Sequence, residues 1–450
     1  MPAYSGKFQY VDESGTALAG GPCRVSFDAE KCVVTPASGA PLAFDLGDVE
    51  RAVPAEFDLQ LTLYTGRRLE LRHFGTLFNR MTGELTAAWR DRTVRCMLLE
   101  DLEEAARYTG TAALGPTVST PAEIRLYKSN IAVLPLRSAP FQWRLADVHS
   151  VSFDESSYTI AIRSGAGRLT VGKLATKTEE FLDRIRKVTN ELREQSAGAL
   201  HDLFPYLDTD RLQQVIERMP EGRSVPLATL AAVHPRIPET LVARAVDRPL
   251  RPYFDALASR AVKDSLMVGF KFIREDEANE PSEPEPAEES ETSAQGPEEA
   301  VPEEPAAEGK ELDPLFFWFF FPLRNGAGGQ ANVAAWEAST GSGRATYFFR
   351  LVAPEAAGTL ADPTRAPEMV EESVARITRG LALVNFRREP VYLPDEALER
   401  QPRFHRYAIG CRKLPDLSAL RAAMLGRAIH SSLEKWGAQV ESISARAGAK

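Results

Sequence analysis

Residues with obvious chemistry are scarce in this sequence. Its 450 residues include only four cysteines and six histidines. The cysteines never form a CxxC pair, which argues against both a disulfide framework and a zinc site. No HExxH or GxSxG motif occurs, so metal-dependent and nucleophilic catalysis lack a candidate residue. We therefore expect no cofactor and no metal, although an enzyme whose site is assembled from distant residues of the C-terminal region stays open.

Long hydrophobic runs are also missing. The longest strongly apolar run extends from Leu315 to Phe321 and ends at Pro322, whereas a helix that spans a bilayer needs about 20 apolar residues. The N-terminus has no basic start followed by an apolar stretch, so it does not resemble a secretory signal. These absences predict a cytoplasmic protein.

The net charge of −9 is unevenly distributed. Residues 274–313 hold sixteen acidic and two basic residues, so the rest of the chain carries +5. The segment is rich in Pro, Glu, Ala and Ser and cannot bury enough apolar surface to offset its ordering entropy. We interpret it as a disordered insert in a C-terminal domain, and a plain interdomain linker is the alternative.

What the sequence does contain is an internal repeat that covers residues 22 to about 195. An offset of 99 aligns Val34, Pro36, Pro41, Leu46, Asp48, Val49 and Gly66 with Val133, Pro135, Pro140, Leu145, Asp147, Val148 and Gly165. An offset of 100 then aligns Arg68, Leu69 and Thr76 with Arg168, Leu169 and Thr176. The pattern predicts two copies of one module. The second copy has one residue inserted between the stretch that aligns at an offset of 99 and the stretch that aligns at 100.

Each copy changes its hydrophobic period from two to about 3.6. Alternation around a polar turn indicates a β-hairpin, and a later apolar stripe indicates an amphipathic helix. The hairpin positions are Leu59, Leu61, Leu63, Leu69 and Leu71 in the first copy and Tyr158, Ile160, Ile162, Leu169 and Val171 in the second. The helical positions are Phe78, Met81, Leu85 and Trp89, then Phe181, Ile185, Val188 and Leu192.

Strands followed by one closing helix, in two copies, resemble tandem pleckstrin-homology-like (PH-like) domains. The resemblance covers residues 4–195 and rests on element order, module length and duplication, because this superfold has no diagnostic motif. It implies a bent seven-stranded antiparallel sheet closed by a C-terminal helix in each copy. We recognise no specific family for the C-terminal half.

The whole chain is predicted to be an α+β multidomain protein. The expected boundaries are 1–110 for module 1, 118–197 for module 2, 198–263 for a small helical connector, 264–273 with 314–450 for a C-terminal α+β domain, and 274–313 for the acidic insert. Four predicted strands followed by helices leave open that the C-terminal domain is a third, diverged copy. Its aromatic run 316–321 is expected to lie in a strand buried on both faces.

Basic residues early in module 2 are the candidate binding residues. Lys128, Arg137 and Arg144 lie where lipid-binding PH-like domains place the residues that bind inositol phosphates, which the resemblance implies. Such charges attract anionic headgroups, but an ordinary solvated hairpin has the same composition. A helix-turn-helix over 224–248 is disfavoured because its turn contains two prolines, so we expect no direct sequence-specific nucleic-acid binding.

Duplication without catalytic motifs favours a non-catalytic interaction or scaffold protein that binds a protein partner through its tandem modules. One alternative is a peripheral membrane adaptor that binds anionic lipid. Another is an acidic chaperone of basic, nucleic-acid-associated proteins, by analogy with histone chaperones that combine tandem PH-like modules with acidic tracts. The sequence does not indicate the oligomeric state.

Overall fold

The computed structural model describes residues 3–99, 102–272, 315–324, 331–338, 345–352 and 366–447. They form three antiparallel sheets and twelve α-helices, which confirms the predicted α+β class. The segment 274–313, predicted to be disordered, lies outside the described residues. Within the described part of the chain, no helix is long and apolar enough to cross a membrane.

The first sheet has seven strands, in the order β4-β3-β2-β1-β7-β6-β5. They are β1 (Ala3–Val11), β2 (Ala17–Phe27), β3 (Lys31–Pro36), β4 (Leu42–Asp45), β5 (Val49–Pro54), β6 (Asp58–Leu63) and β7 (Arg68–Arg72). Helix α1 (Phe78–Cys96) follows and buries its apolar stripe against the sheet. The predicted sequence of strands and then one helix is confirmed for this module.

The second sheet repeats this order as β11-β10-β9-β8-β14-β13-β12. Its strands are β8 (Glu104–Leu114), β9 (Thr120–Tyr127), β10 (Asn130–Pro135), β11 (Phe141–Arg144), β12 (Val148–Asp154), β13 (Thr159–Ser164) and β14 (Gly167–Gly172). Helix α2 (Thr178–Leu203) closes it, with Phe181, Ile185 and Leu192 buried. A short 3-10 turn follows the fourth strand of each module, at Leu46–Asp48 and Leu145–Asp147.

The register of the repeat differs from the sequence alignment in the hairpin. The turn between the fifth and sixth strands is two residues longer in module 2, because Pro54 pairs with Leu59 whereas Phe153 pairs with Ile160. The following turn is one residue shorter. Strands β6 and β13 are therefore related by an offset of 101, and the match of the glycines at 66 and 165 was wrong. The closing helices begin 100 residues apart, as predicted.

The third sheet is an antiparallel meander in the order β15-β16-β17-β18-β19-β20. Its strands are β15 (Val225–Pro226), β16 (Met267–Phe272), β17 (Leu315–Arg324), β18 (Ala331–Ala338), β19 (Ala345–Arg350) and β20 (Met424–Ile429). The aromatic run in β17 alternates between the two faces and is buried on both, which confirms that expectation. This order differs from that of the repeated modules, so the sheet is not a third copy.

Helices cover both faces of the third sheet. One face packs against segment 198–263, predicted as a connector, whose helices are α3 (Thr209–Arg218), α4 (Leu227–Ala231), α5 (Ile237–Ala245) and α6 (Arg251–Arg260). The later helices are α7 (Ala366–Leu383), α8 (Glu389–Tyr392), α9 (Asp395–Arg400), α10 (His405–Lys413), α11 (Pro415–Ala423) and α12 (Leu433–Ala447). Of these, α12 joins the face of segment 198–263 and α7 to α11 cover the other.

Candidate functional site

Module 1 contacts the C-terminal region through the 3-10 turn after its fourth strand. Arg412 of α10 donates to Asp48 at 2.8 Å, and the Lys413 ammonium donates to the Val49 carbonyl at 2.9 Å. Burial lowers the pKa of Lys413 to about 8. Burial alone would raise the pKa of Asp45, but hydrogen bonds from Arg92 and the Gly47 amide hold it below its ordinary value. This turn is an acidic corner that contacts a basic helix.

Module 2 uses the equivalent turn to contact segment 198–263, with different charges. Arg144 lies 3.6 Å from Glu221, and Arg223 lies within hydrogen-bond distance, 3.0 Å, of His149. Burial, followed by the charge of Arg223, lowers the pKa of His149. Burial also raises the pKa of Asp147 despite the nearby arginines. The turn of each module is therefore occupied by an intramolecular contact.

The structure separates the three predicted binding residues. The Arg144 side chain is only 16% exposed and faces Glu221 in the module 2 contact. Lys128 is exposed in the β9–β10 turn, where it pairs with Glu103. Arg137 is exposed in the β10–β11 turn at the other end of β10. Headgroup binding by these residues stays a prediction, but they do not form one cluster.

The corrected register reveals an exposed aromatic residue at the same position of both modules. Phe57 directly precedes β6 and is 74% exposed, and Tyr158 directly precedes β13 and is 54% exposed. The sequence alignment missed this match because offsets of 99 and 100 place Phe57 opposite Ser156 or Ser157, and they place Tyr158 opposite Leu59 or Asp58. The match between Phe57 and Tyr158 becomes visible when the strand pairings of the two modules are aligned.

The turn that carries Tyr158 is ordered by its own side chains. Asp154 accepts hydrogen bonds from the Ser156 amide and from the hydroxyls of Ser156 and Ser157. These bonds, that of the Ser156 hydroxyl first, lower the pKa of Asp154 to about 2. The Tyr158 ring meets Phe153 edge to face, with centroids 5.3 Å apart. The aromatic residue is thus presented on a turn that needs no ligand to order it.

A third exposed apolar position lies in the β8–β9 turn of module 2. Val118 is 84% exposed, and Leu114 at the end of β8 is 37% exposed. The Leu136 amide donates to the Pro121 carbonyl at 2.9 Å, which brings the turn that carries Arg137 beside the start of β9. Apolar and basic side chains therefore share this end of the module.

No protein-family model matches the chain, and comparison with curated proteins finds no match either.

Arginines and aromatic rings alternate on the face of the C-terminal region formed by β19, β20 and the segment from α7 to α10. The guanidinium of Arg427 lies 4.3 Å from the ring centroid of Tyr392, and that of Arg403 lies 4.6 Å from Phe404. Arg387 donates to the Tyr407 hydroxyl at 2.7 Å. We call this the arginine surface; it comprises Arg387, Arg388, Arg403, Arg406 and Arg427 with Tyr347, Tyr392, Phe404 and Tyr407. Its members come from distant parts of the chain, so no sequence motif indicated it.

One buried polar cluster lies in the third sheet. The Thr346 hydroxyl donates to Glu337 at 2.6 Å and lies 2.8 Å from the His430 imidazole, and Trp436 donates to it at 3.1 Å. Glu337 and His430 are both buried. Among the described residues no group of three or more His, Cys, Asp or Glu side chains could hold a metal ion. The cluster ties β18, β19, β20 and α12 together.

The cysteine thiols are poor nucleophiles in this structure. Burial raises the pKa of Cys32 and Cys96 to about 12, and that of Cys23 and Cys411 to about 11. A thiol reacts as its thiolate, so all four stay protonated near neutral pH.

Proposed function

We propose that the chain is a non-catalytic interaction protein that binds a protein partner through two PH-like modules. Seven antiparallel strands followed by one helix in each module are compatible with that fold. The observation that carries the proposal is the exposed aromatic pair, Phe57 and Tyr158, at equivalent turns. Exposed apolar side chains are costly in water, and aromatic residues dominate the binding energy of protein interfaces.

The positions of Phe57 and Tyr158 support a partner that makes the same kind of contact with each module. Helix α10 occupies the 3-10 turn of module 1 through Asp48, and segment 198–263 occupies the equivalent part of module 2 through Glu221, whereas the aromatic turns lie elsewhere on each module. A partner that contacts both turns gains avidity from the second contact, because the first raises its effective concentration. We expect the partner surface to offer apolar pockets, because Phe57 has no polar group and Tyr158 has one hydroxyl.

The test is quantitative recovery of co-purifying proteins with the tagged full chain from its native organism. The variants are Phe57→Ala, Tyr158→Ala and the double substitution, and Leu433→Ala is the control because it removes a half-exposed leucine of α12. We expect each single variant to weaken binding of the same partner by at least about tenfold, as for an aromatic anchor of an interface. Equal recovery with the double variant and the wild type would contradict the proposal.

A peripheral membrane adaptor is the second candidate, favoured by Val118 beside the turn that carries Arg137. An exposed apolar tip with a nearby cation suits insertion into an anionic headgroup layer. Co-sedimentation with phosphatidylserine vesicles should fall with salt and with Val118→Asp. Leu18→Asp at the start of β2 is the matched control in module 1. Binding that is absent, or equal for both variants, would exclude this candidate.

A further inference from the structure

Strand β12 has an open stretch at the edge of the second sheet. It is the outermost strand, and within the described part of the chain it pairs with β13 alone. Arg193 of α2 donates to the carbonyls of Val148 and His149, so this contact covers only the start of the strand. From Ser150 to Asp154 the pairing with β13 is regular. Every second residue of such an edge directs its N–H and C=O groups away from the sheet, where another strand can bind them.

The equivalent strand of module 1 is protected against such pairing. Strand β5 carries the charged residues Glu50 and Arg51 and ends at Pro54. Charged side chains and proline are means by which proteins prevent edge strands from pairing with other chains. Residues 150–153 of β12 are Ser, Val, Ser and Phe, and they include neither a charge nor a proline. The two copies of this strand therefore differ in the property that decides whether another strand can be added.

The open stretch of β12 is complementary to a second copy of itself. In an antiparallel pair with Ser152 opposite Ser152, Val151 lies opposite Phe153 on each side of the centre. Opposite pairs of an aromatic and a β-branched residue stabilise a sheet, and hydroxyl side chains can form hydrogen bonds across its strands. Ser150 lies opposite Asp154, so no like charges meet. Every opposite pair is therefore compatible with a twofold axis at Ser152, as an interface between identical chains requires.

Pairing of two copies also covers apolar surface that the single chain leaves partly exposed. Val151 and Phe153 pack against the core of module 2 but are only partly buried. The exposed Tyr158 ring extends this apolar strip, because it meets Phe153 edge to face at 5.3 Å. Side chains at alternate positions share one face, so two copies place two Val–Phe pairs in one row. Five paired residues make a small interface, so we expect a dissociation constant in the micromolar range or weaker.

We propose that two copies of this chain form a dimer through antiparallel pairing of their β12 strands, with Ser152 opposite Ser152. The module 2 sheets of the two copies then join into one continuous sheet. Module 1 takes no part in the pairing, because its equivalent strand is protected. The proposal does not depend on the function assigned to the two modules, and it is tested without any other protein, so its failure is distinguishable from a failure of the proposed function.

The first test is sedimentation velocity of the full chain over a range of about 1 to 100 micromolar, which brackets the expected affinity. We expect the weight-average sedimentation coefficient to rise with concentration from the value of a monomer towards that of a dimer. A monomer at every concentration would overturn the proposal and would leave the edge of β12 to a strand of a different protein.

Two lysine substitutions at exposed serines of β12 test the register. Ser152→Lys places two like charges opposite each other at the twofold axis, so it should weaken dimerisation by at least about tenfold. Ser150→Lys adds the same charge, but the new ammonium lies opposite Asp154 of the second copy, so dimerisation should be retained or strengthened. Ser5→Lys, at an exposed serine of β1, is the control for added charge. Equal weakening by both β12 substitutions, or no weakening by Ser152→Lys, would overturn the proposal.

A second measurement locates the contact without adding charge. Opposite residues of an antiparallel pair have Cβ atoms about 4.5 to 5.5 Å apart, which a short bismaleimide crosslinker can span between two introduced cysteines. Ser152→Cys should therefore give a covalent dimer at a concentration where the dimer is populated. The wild type and Ser5→Cys should not, because none of the four native cysteines is exposed and Ser5 lies in the other module. A covalent dimer with neither variant, or with both to the same extent, would overturn the proposal.

Discussion

The two modules have the same strand order but contact different parts of the chain, α10 and segment 198–263, with different charges. The last residue of the fourth strand is Asp45 in module 1 and Arg144 in module 2. Module 1 therefore presents an acidic corner to the basic helix α10, whereas module 2 presents a mixed corner to Glu221 and Arg223. The two modules therefore share their strand order and differ in the charged residues with which each contacts the rest of the chain.

The largest expected difference between the modules is in the stability that each closing helix contributes through one equivalent residue. Trp89 is fully buried and donates to the Val49 carbonyl at 2.9 Å, whereas Thr189, at the equivalent position of module 2, bonds within its own helix. Trp89→Ala should lower the free energy of unfolding by about 3 to 5 kcal/mol, since it leaves a large cavity. Thr189→Ala should lower it by about 1 kcal/mol.

Hydrogen exchange measured separately in each module distinguishes these effects, because a multidomain chain need not unfold in one step. In module 2 the equivalent start of the fifth strand is held by Arg193, which donates to the carbonyls of Val148 and His149 at 3.0 Å. Equal losses of unfolding free energy for Trp89→Ala and Thr189→Ala would show that the two helix contacts contribute equally, and would contradict the expected difference between the modules.

The second difference concerns the carboxylates of the two 3-10 turns. Asp48→Asn removes the charge that pairs with the partly buried Arg412 and should cost about 1 to 3 kcal/mol. Burial raises the pKa of Asp147, so the native state disfavours its charged form. Asp147→Asn should therefore be neutral or stabilising at pH 7. A loss with Asp147→Asn as large as that with Asp48→Asn would contradict this assignment.

The third difference is a pH dependence at alkaline pH, which we expect at the module 1 contact alone. The folded-state pKa of Lys413 is lowered to about 8, so above that pH the native state has lost a proton that the unfolded chain still binds. Stability from this group should therefore rise by about 1 kcal/mol from about pH 7 to about pH 9. At the module 2 contact the arginines do not titrate in this range, and His149, whose pKa is lowered by burial and by the charge of Arg223, loses its proton below it.

Thermal unfolding of the wild type and of Lys413→Met isolates this effect, because the difference between their melting temperatures cancels all other titrating groups. The difference should change with pH in the stated direction. A difference that stays constant with pH would show that Lys413 keeps an ordinary pKa in the folded protein.

Local sequence patterns predicted the strands and helices of the two modules. The strand register and the contacts between distant segments depend on long-range pairing, which these patterns do not encode. Period-two alternation and helical stripes identified the hairpins and the helices α1 and α2, because each depends on neighbours along the chain. The offset of 101 in the hairpin was missed since two turns change length in opposite directions, and short turns align by chance. That error hid the match between Phe57 and Tyr158.

The remaining features depend on contacts that no local pattern encodes. Arg144 was predicted as a ligand-binding residue from its position along the chain, and its proximity to Glu221 joins two regions 77 residues apart. The arginine surface likewise brings together β19, β20 and the segment from α7 to α10. Segment 198–263 was recognised as helical, but its packing against the third sheet follows from the sheet being apolar on both faces.

The smallest expected difference is the most informative about function. Phe57→Ala and Tyr158→Ala should each change the free energy of unfolding by less than about 0.5 kcal/mol, as is usual for exposed side chains. Tyr158→Ala should have the larger effect, because it also loses the edge-to-face contact with Phe153. Urea unfolding of both variants measures this. A loss of several kcal/mol would mean that Phe57 and Tyr158 stabilise the fold. Their equivalent positions in the two modules would then be explained without a binding partner. Little loss, together with weaker partner binding, leaves binding as the reason that both modules expose an aromatic side chain at this turn.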